Sequence, residues 1–483
     1  LRTTKRAPAR SPRSAGFRRP EPNAFRLRIG VHTGYGDGSL IIMRIGIIGS
    51  GIAGLGAAWL LSRTGKYEIT LYEQNAYIGG HSNTRETPDG VPVDTGFIVF
   101  NHVTYPNLVA LFREAGVTTE ASNMSFAVSL DDGKLEYAGD SVRKLFAQKR
   151  NLFRPSFHRM WRSILRFYRE APSILNEADN TALTLGQYLE QGRYDRGFVF
   201  DHLLPMGAAI WSASIEEMME FPAQSFVRFF QNHGLMKLSD RPQWYTVSGG
   251  SREYVKILTA AFADRIQTGR GATMVKRLGA GGVSVRDGEG ETQTFDHVIL
   301  ATHGDEALKL LGDASADERR VLGAFRYQPN RTLLHTDARL MPKRRKAWAS
   351  WNYMGDRRRG GNVVTSVSYW MNRLQNLPGE TDYFVSLNPL VEPDRAKVLY
   401  EVNYDHPMFS REAIEAQREI GALQGVNRTW FCGSYCGYGF HEDALSAGLA
   451  VAEALGAKRP WTIEESSPAY ANASPVAWAV AAE

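Results

Sequence analysis

The sequence predicts an α/β fold: a parallel nucleotide-binding sheet assembled from discontinuous segments, with an α+β substrate-binding domain inserted into it. Three observations carry that prediction. A short apolar run at 45–48 breaks into three spaced glycines, Gly49, Gly51 and Gly54. A second run at 69–72 closes on an acid, Glu73. Glycine-led segments return much later, at 245–258 and 429–455 of a 483-residue chain.

Each element of the first segment has a physical task. Residues 45–48 read as a short apolar strand. The first glycine after it permits a tight turn, the second lets a pyrophosphate approach the backbone, and the third lets the following helix pack close to the strand. Residues 53–62 are small and apolar, as in a buried crossover helix whose N-terminal amides face phosphates. Ser50, Ile52 and Ala53 therefore join the glycines as candidate cofactor-binding residues. Gly65 ends the helix. Glu73 then stands where a carboxylate accepts hydrogen bonds from both ribose hydroxyls and repels a 2′-phosphate, which disfavours NADP. Gln74 follows it. Strand, glycines, helix, strand and acid in this order make a Rossmann-like dinucleotide motif.

The span GSGIAGLGAAWLLSRTGKYEITLYEQNAYIGGH (49–81) resembles the extended fingerprint of the FAD-dependent amine oxidase and phytoene desaturase superfamily. The resemblance implies FAD as cofactor, with Gly79, Gly80 and His81 in a second loop lying against the pyrophosphate. YTVSGGSREYVKIL (245–258) and GATMVKRL (271–278) look like that superfamily's glycine-led helix and the strand whose backbone, around Val275, meets the adenine. FDHVILAT (295–302) looks like the strand returning to the nucleotide domain. TWFCGSYCGYGFHEDALSAGLAVAEAL (429–455) resembles the carboxy-terminal flavin motif, with Gly433 and Ser434 in its turn. Gly439, Phe440 and His441 match the monoamine-oxidase register that sets backbone amides at the flavin's pyrimidine edge. A helix N-terminus there stabilises negative charge on the reduced ring. More narrowly, GFHEDALSAGL, SYWMNRLQNL (368–377) and NYDHPMF (403–409) look like bacterial predicted NAD/FAD-binding proteins associated with cyclopropane fatty acyl phospholipid synthases.

The motifs divide the chain. Segments 43–105, 240–303 and 425–457 are expected to build the FAD-binding domain, and 106–239 and 304–424 the substrate domain. The first insert reads as largely helical and the second as β-rich. Residues 458–483 read as a loose tail. Residues 1–42 carry nine Lys/Arg against Glu21 and Asp37, a charge of +7 that exceeds the whole chain's +6. They read as a disordered basic extension or a misassigned start, and a nucleic-acid partner is not expected from the rest. At 43% hydrophobic the chain can fill a large core, yet no run of 18 apolar residues exists to span a membrane. Cys432 and Cys436 alone support neither a disulfide framework nor a metal site, so a reducing cytoplasm is the expected location.

The family's chemistry needs a C–H bond held at the flavin between aromatic walls. Phe440 takes the place of a cage Tyr, and Tyr438, His441, Tyr404 and His406 are further candidates. No Lys stands where amine oxidases bridge one to the flavin through water; His335 lies near that position. His81 replaces the usual Arg after the double glycine, and Tyr435 an expected acid. Catalytic candidates are thus His441, Tyr438, His335 and Tyr404, each of which is equally readable as a core residue. Cys436 is a candidate for covalent flavin attachment or a plain buried thiol.

In RPSFHRMWRSILRFYRE, Phe157, Met160, Trp161, Ile164, Leu165 and Tyr168 recur at helical spacing, with Arg159, Arg162, Arg166 and Arg169 mostly off that stripe. From 141 to 169 there is no acid. The helix over 155–169 either lies on an anionic membrane, making the protein peripheral at the inner membrane, or packs its apolar face on the core. The KRRK run at 343–346 and the RRR run at 357–359 either extend that basic face or are solvated turns. The expected function is an FAD-dependent oxidoreductase moving a hydride between a lipid acyl chain and flavin. A flavin amine oxidase, a double-bond isomerase, and a non-catalytic flavin-bound accessory protein of a lipid methyltransferase are the alternatives.

Overall fold

The computed structural model of the protein describes residues 42–139, 142–177, 182–356 and 364–463. Residues 1–41 of the basic extension, the Arg run 357–359 and the tail beyond 463 lie outside the described residues.

Strand Met43–Ile48 is the middle of a five-stranded parallel sheet. Tyr67–Glu73 and then Ile266–Thr268 lie on one side of it, and His297–Leu300 and then Thr429–Phe431 on the other. Ile45 is in register with Ile69 on the first side and His297 on the second. Three separated stretches of chain thus supply one sheet. The strand order reverses at Met43–Ile48, and the crevice beyond the carboxyl ends of the strands at such a point is where open α/β sheets bind ligands. Helix Ile52–Ser62 is buried from Ile52 to Leu61, which is why it is apolar all round and needs no polar face. It packs against helix His441–Ala454, where a Cβ on Gly448 would overlap the carbonyl of Ala53.

The second layer is a seven-stranded sheet in the order 398–408, 326–335, 384–387, 364–370, 351–356, 126–130, 135–138. Its pairs are antiparallel except that Trp351–Asp356 runs parallel to Phe126–Leu130. The first insert is therefore less helical than expected: it supplies two strands to the sheet of the second. Apolar residues near the insert ends pack with the parallel sheet. Leu108, Leu111 and Phe112 of helix Pro106–Ala115 bury in the nucleotide-domain core, as do Val321, Leu322, Ala413 and Ile420. Stretches near the insert ends thus join the FAD-domain core, because their apolar faces have nowhere else to go.

Helix Pro155–Glu170 buries Phe157, Met160, Ile164 and Phe167 in the substrate-domain core. Of the two readings of this helix, packing of its apolar face on the core is the one the structure shows. Arg166 pairs with Glu170 at 2.8 Å and stacks over Tyr194 at 4.4 Å. Three residues of the KRRK run are paired: Lys343 meets Asp132, Arg344 meets the buried Glu136, and Arg345 meets Asp382. Among the described residues no helix is long and apolar enough to cross a membrane.

His335 ends strand Arg326–His335 fully out of solvent. Its Nε2 lies 2.8 Å from Ser386 Oγ, and its Nδ1 accepts the backbone N–H of Asp337 at 3.0 Å. Both nitrogens are committed, so of its two readings His335 takes that of a hydrogen-bonded core histidine.

Burial holds His202, His233, His335 and His406 down at about 4 and His441 at about 3. Their stabilising contribution is complete above the unfolded value of about 6.5 and is lost as pH falls from there through their folded values. Burial acts the other way on Asp94, raised to about 6, and on Glu442 and Asp443, raised to about 7. Their contribution is lost as pH rises through 6 to 7. The histidines outnumber the carboxylates, so the unfolding midpoint should drop as pH is lowered from about 6.5 to 4, and His335→Asn should flatten that drop without changing flavin content. A midpoint that rises on acidification would refute this balance.

Candidate functional site

The glycine loop after Met43–Ile48 is held by one hydroxyl. Ser50 Oγ donates to Glu73 Oε2 at 2.6 Å and accepts the N–H of Gly79 at 3.1 Å, and the Ser50 N–H reaches the same Glu73 oxygen at 3.1 Å. The other oxygen, Oε1, accepts the backbone and side-chain N–H groups of Asn75, both at 2.8 Å. The first glycine loop, the acid and the double-glycine loop are therefore locked together. Gly80 comes so close that a Cβ there would sit 3.1 Å from Gly51 Cα, and its φ of +57° disfavours a side chain in any case.

The cradle so formed fits a dinucleotide. A Cβ built on Gly51 meets nothing within 4 Å, so there is room over that backbone. A Cβ on Gly54, by contrast, would overlap the Gly49 carbonyl, the close helix–strand approach expected of the third glycine. Helix Ile52–Ser62 has no side-chain cap and no acid in its first turn, leaving the amides at Ile52, Ala53 and Gly54 for a pyrophosphate. Glu73, 5% exposed at the end of its strand, is positioned for a ribose. Backbone bonds from Gly269 to Asn75 and from Arg270 to Glu73 lay the next segment alongside, and Gly271 abuts the exposed Gln74.

This corrects the adenine expectation. Val275 is fully buried, and its carbonyl accepts the N–H of Gly312 at 2.9 Å, so its backbone is not open to a ligand. The segment beside Glu73 and Gln74 is 269–272, three residues or more earlier.

At the other end, Gly433 and Ser434 lead from strand Thr429–Phe431 into a turn whose Ser434 carbonyl accepts the N–H groups of Gly437 and Gly439, both at 3.1 Å. Gln417 Nε2 braces the same turn on the carbonyls of Tyr435 and Gly437. Phe440 caps helix His441–Ala454, its N–H taken by Asp443 Oδ2 at 2.9 Å. Glu442 accepts the N–H groups of Asn107 and Leu108 at 2.9 Å each and so ties this helix to Pro106–Ala115. Cys436 is buried and burial pushes its thiol up to about 12, so it is a protonated thiol; Tyr435 turns its ring onto Phe325 at 4.8 Å.

His441 is stacked on Phe97 at 3.8 Å, and its Nε2 lies 2.7 Å from Tyr254 OH and 3.3 Å from Ser82 Oγ. Held neutral by burial, it clamps three segments together. Tyr404 OH accepts from Asn83 at 2.8 Å and bonds Thr95 Oγ1 at 2.8 Å, with its ring stacked on His81 at 4.7 Å. His81 also neighbours His406 at 5.7 Å and His303 at 6.4 Å. Burial and these neighbours hold it well below the usual histidine range, and its Nε2 is out of solvent without a hydrogen-bond partner. Tyr438 belongs to a separate wall, 6.0 Å from Phe229, which stacks on Phe440 at 4.9 Å.

The structure thus gathers His81, Tyr404, His406 and His441 around the double-glycine and carboxy-terminal motifs, sets Tyr438 and Phe440 beside them, and leaves His335 in the sheet core. Sequence reasoning missed Phe97, Asn83, Tyr254, His303 and Asn330. Asn330, which bonds His406 Nδ1 at 3.0 Å, sits on the strand where a Lys was sought, five positions before His335. The alternation of that strand offered no signal for it.

Two substitutions test the cradle. Gly51→Val should abolish flavin retention, because the side chain fills the room over the backbone while the fold persists; a yellow, fully loaded variant would refute the assignment. Ser50→Ala should weaken flavin affinity by about tenfold, from loss of a buried hydrogen bond of about 1–1.5 kcal/mol, measured as flavin released on dilution.

Residues 52–344 match the family described as flavin containing amine oxidoreductase. Among curated protein sequences none matches this chain. The fold is similar to that of a CLA-producing fatty acid isomerase from P. acnes, at 15% identity and a TM-score of 0.62 over 85% of this chain and 98% of that one. It is similar to cyclohexylamine oxidase from Brevibacterium oxydans IH-35A, at 15% identity and 0.62 over 86% and 98%, and to putrescine oxidase, at 16% and 0.59 over 86% and 98%. The match spans more than half of the chain and includes the glycine helix, the acid and the double glycine that the structure locks into one cradle. The chain belongs to the flavin-containing amine oxidoreductase family and is an FAD-dependent oxidoreductase.

Proposed function

We propose that this oxidoreductase moves a hydride between a C–H bond of an apolar substrate, a lipid acyl chain, and the flavin. One observation carries the reading: the wall beside the carboxy-terminal flavin motif is aromatic and uncharged. Phe229 packs on Phe440, Trp211 on Phe229 at 4.7 Å, and His233, held neutral at about 4, on Phe229 at 3.8 Å. The nearby carboxylates are spent on the backbone, Asp443 on Phe440 and Glu442 on Asn107 and Leu108. An ammonium substrate finds no counter-charge in that wall, whereas a methylene chain finds apolar surface. The P. acnes isomerase of the same fold acts on a fatty acid, which supports an acyl chain as occupant.

FAD, when bound, supplies the hydride acceptor or donor. The chain's own residues do the rest. Amides at 51–54 and Glu73 would hold the pyrophosphate and ribose of a bound FAD, and the N-terminal amides of helix His441–Ala454 would be the donors for its pyrimidine edge. Trp211, Phe229 and Phe440 orient the substrate and exclude water. Removal of hydride from one carbon leaves a proton to be lost from its neighbour, and His81 Nε2, neutral and without a partner, is the base this reading assigns. His441, whose Nε2 is engaged by Tyr254, is a positioning residue. A lipid methyltransferase as partner belongs to the same proposal, since the two would share a lipid substrate.

The test is the anaerobic visible spectrum of the purified protein as vesicles carrying unsaturated, methylated or cyclopropane acyl chains are added. Bleaching of the oxidised flavin bands is expected, and it should slow by at least about 100-fold in His81→Gln. Bands that persist with every lipid but bleach with an amine, with peroxide released in air, would replace the acyl chain by an amine. Bands unmoved by either would leave an isomerase or an accessory protein.

A further inference from the structure

With the stripe of helix Pro155–Glu170 buried, the apolar groups exposed in this region are different ones. Phe153 ends the turn Lys149–Phe153 just before the helix and is 81% exposed, beside Leu152 at 49%. His158 Nε2 lies 2.7 Å from the Leu152 carbonyl and seats this tip against the helix. From His158, helical spacing carries Arg162, Leu165 and Arg169 along one outward face, and Leu165 is 46% exposed. Arg150 and Arg154 flank the tip and hydrogen-bond the Lys134 carbonyl, and Arg162 bonds the His158 carbonyl. Glu170 at the end of the helix is paired with Arg166 and Arg169, and Asp195 with Arg159.

We propose that the 149–154 tip and the outward face of this helix form a docking surface for an anionic lipid bilayer. The two halves of the surface select that partner together. The guanidinium groups match a layer of lipid phosphates, and the stretch from 141 to 169 holds no acid to repel it. Phe153, Leu152 and Leu165 gain only if they leave water for acyl chains, which a nucleic acid does not offer. The surface so proposed uses the tip and the outward face, because the apolar stripe of the helix is buried in the core. The surface is independent of the substrate reading, because binding is measured without turnover.

The experiment is flotation of the full-length, flavin-loaded protein with vesicles of phosphatidylcholine alone or with about one third phosphatidylglycerol, the fraction at which a polybasic surface responds to lipid charge. Binding to the anionic vesicles only is expected. Leu152→Ser with Phe153→Ser should weaken it by about tenfold or more, and Arg150→Gln with Arg162→Gln by about thirtyfold. The unfolding midpoints should not move, since these side chains are exposed. A Phe153→Trp probe should shift its emission to the blue on anionic vesicles. The cationic residues 1–42 are common to every variant, so equal binding by wild type and the Leu152/Phe153 variant would overturn the proposal. Wild type that does not float would do the same, as would emission from the Phe153→Trp variant that stays that of an indole in water.

Discussion

The Ser50 hydroxyl is the contact on which the nucleotide domain's chemistry rests. It joins Glu73 at the end of the second strand to Gly79 at the start of the double-glycine loop, and both reach the first glycine loop only through it and the Ser50 backbone. The hydroxyl doubles contacts that the Ser50 backbone also makes, its N–H to Glu73 Oε2 and its carbonyl to the Gly79 N–H, so side chain and backbone of one residue hold both partners. The geometry of the loop pair, and with it the room over Gly51, follows from that constraint. The helix amides can then face an anion without a protein acid competing for them.

From this fixed end the chain builds a site with little formal charge. His81, His406 and His441 are buried and held neutral, and the acids at the start of helix His441–Ala454 are consumed in tying backbone amides. On the reading proposed above, neutral imidazoles among aromatic rings suit a reaction in which hydride and proton leave an uncharged chain. The departures from the amine-oxidase pattern at His81, Tyr435 and the strand of His335 point the same way. Tyr435 packs its buried ring on Phe325, and the strand of His335 carries Asn330, bonded to His406 Nδ1, five positions earlier.

Much of the fold was legible because its signals are local. Glycine spacing, the apolar helix and the terminal acid each follow from sterics within a few residues, and the structure sets them in the order read. The domain boundaries were less legible. Helix Pro106–Ala115 looks like any amphipathic segment, and only the position of Glu442, more than 300 residues on, decides that its N-terminus is capped from the nucleotide domain. The strands at 126–130 and 135–138 were likewise hidden, because an antiparallel pair buried on both faces loses the alternation that marks a strand.

The sequence by itself determined the dinucleotide cradle, since backbone conformation at Gly49, Gly51 and Gly54 and the reach of Glu73 are properties of the local chain. Tertiary structure alone decided the rest of the site. His441 meets Tyr254, His81 meets Tyr404 and His406, and Phe229 meets Phe440 across separations of about 190 to 325 residues, where no periodicity carries information. It also decided which side of the basic helix faces water. A helical stripe states that one face is apolar, and only the neighbour that buries Phe157, Met160, Ile164 and Phe167 states what that face is for.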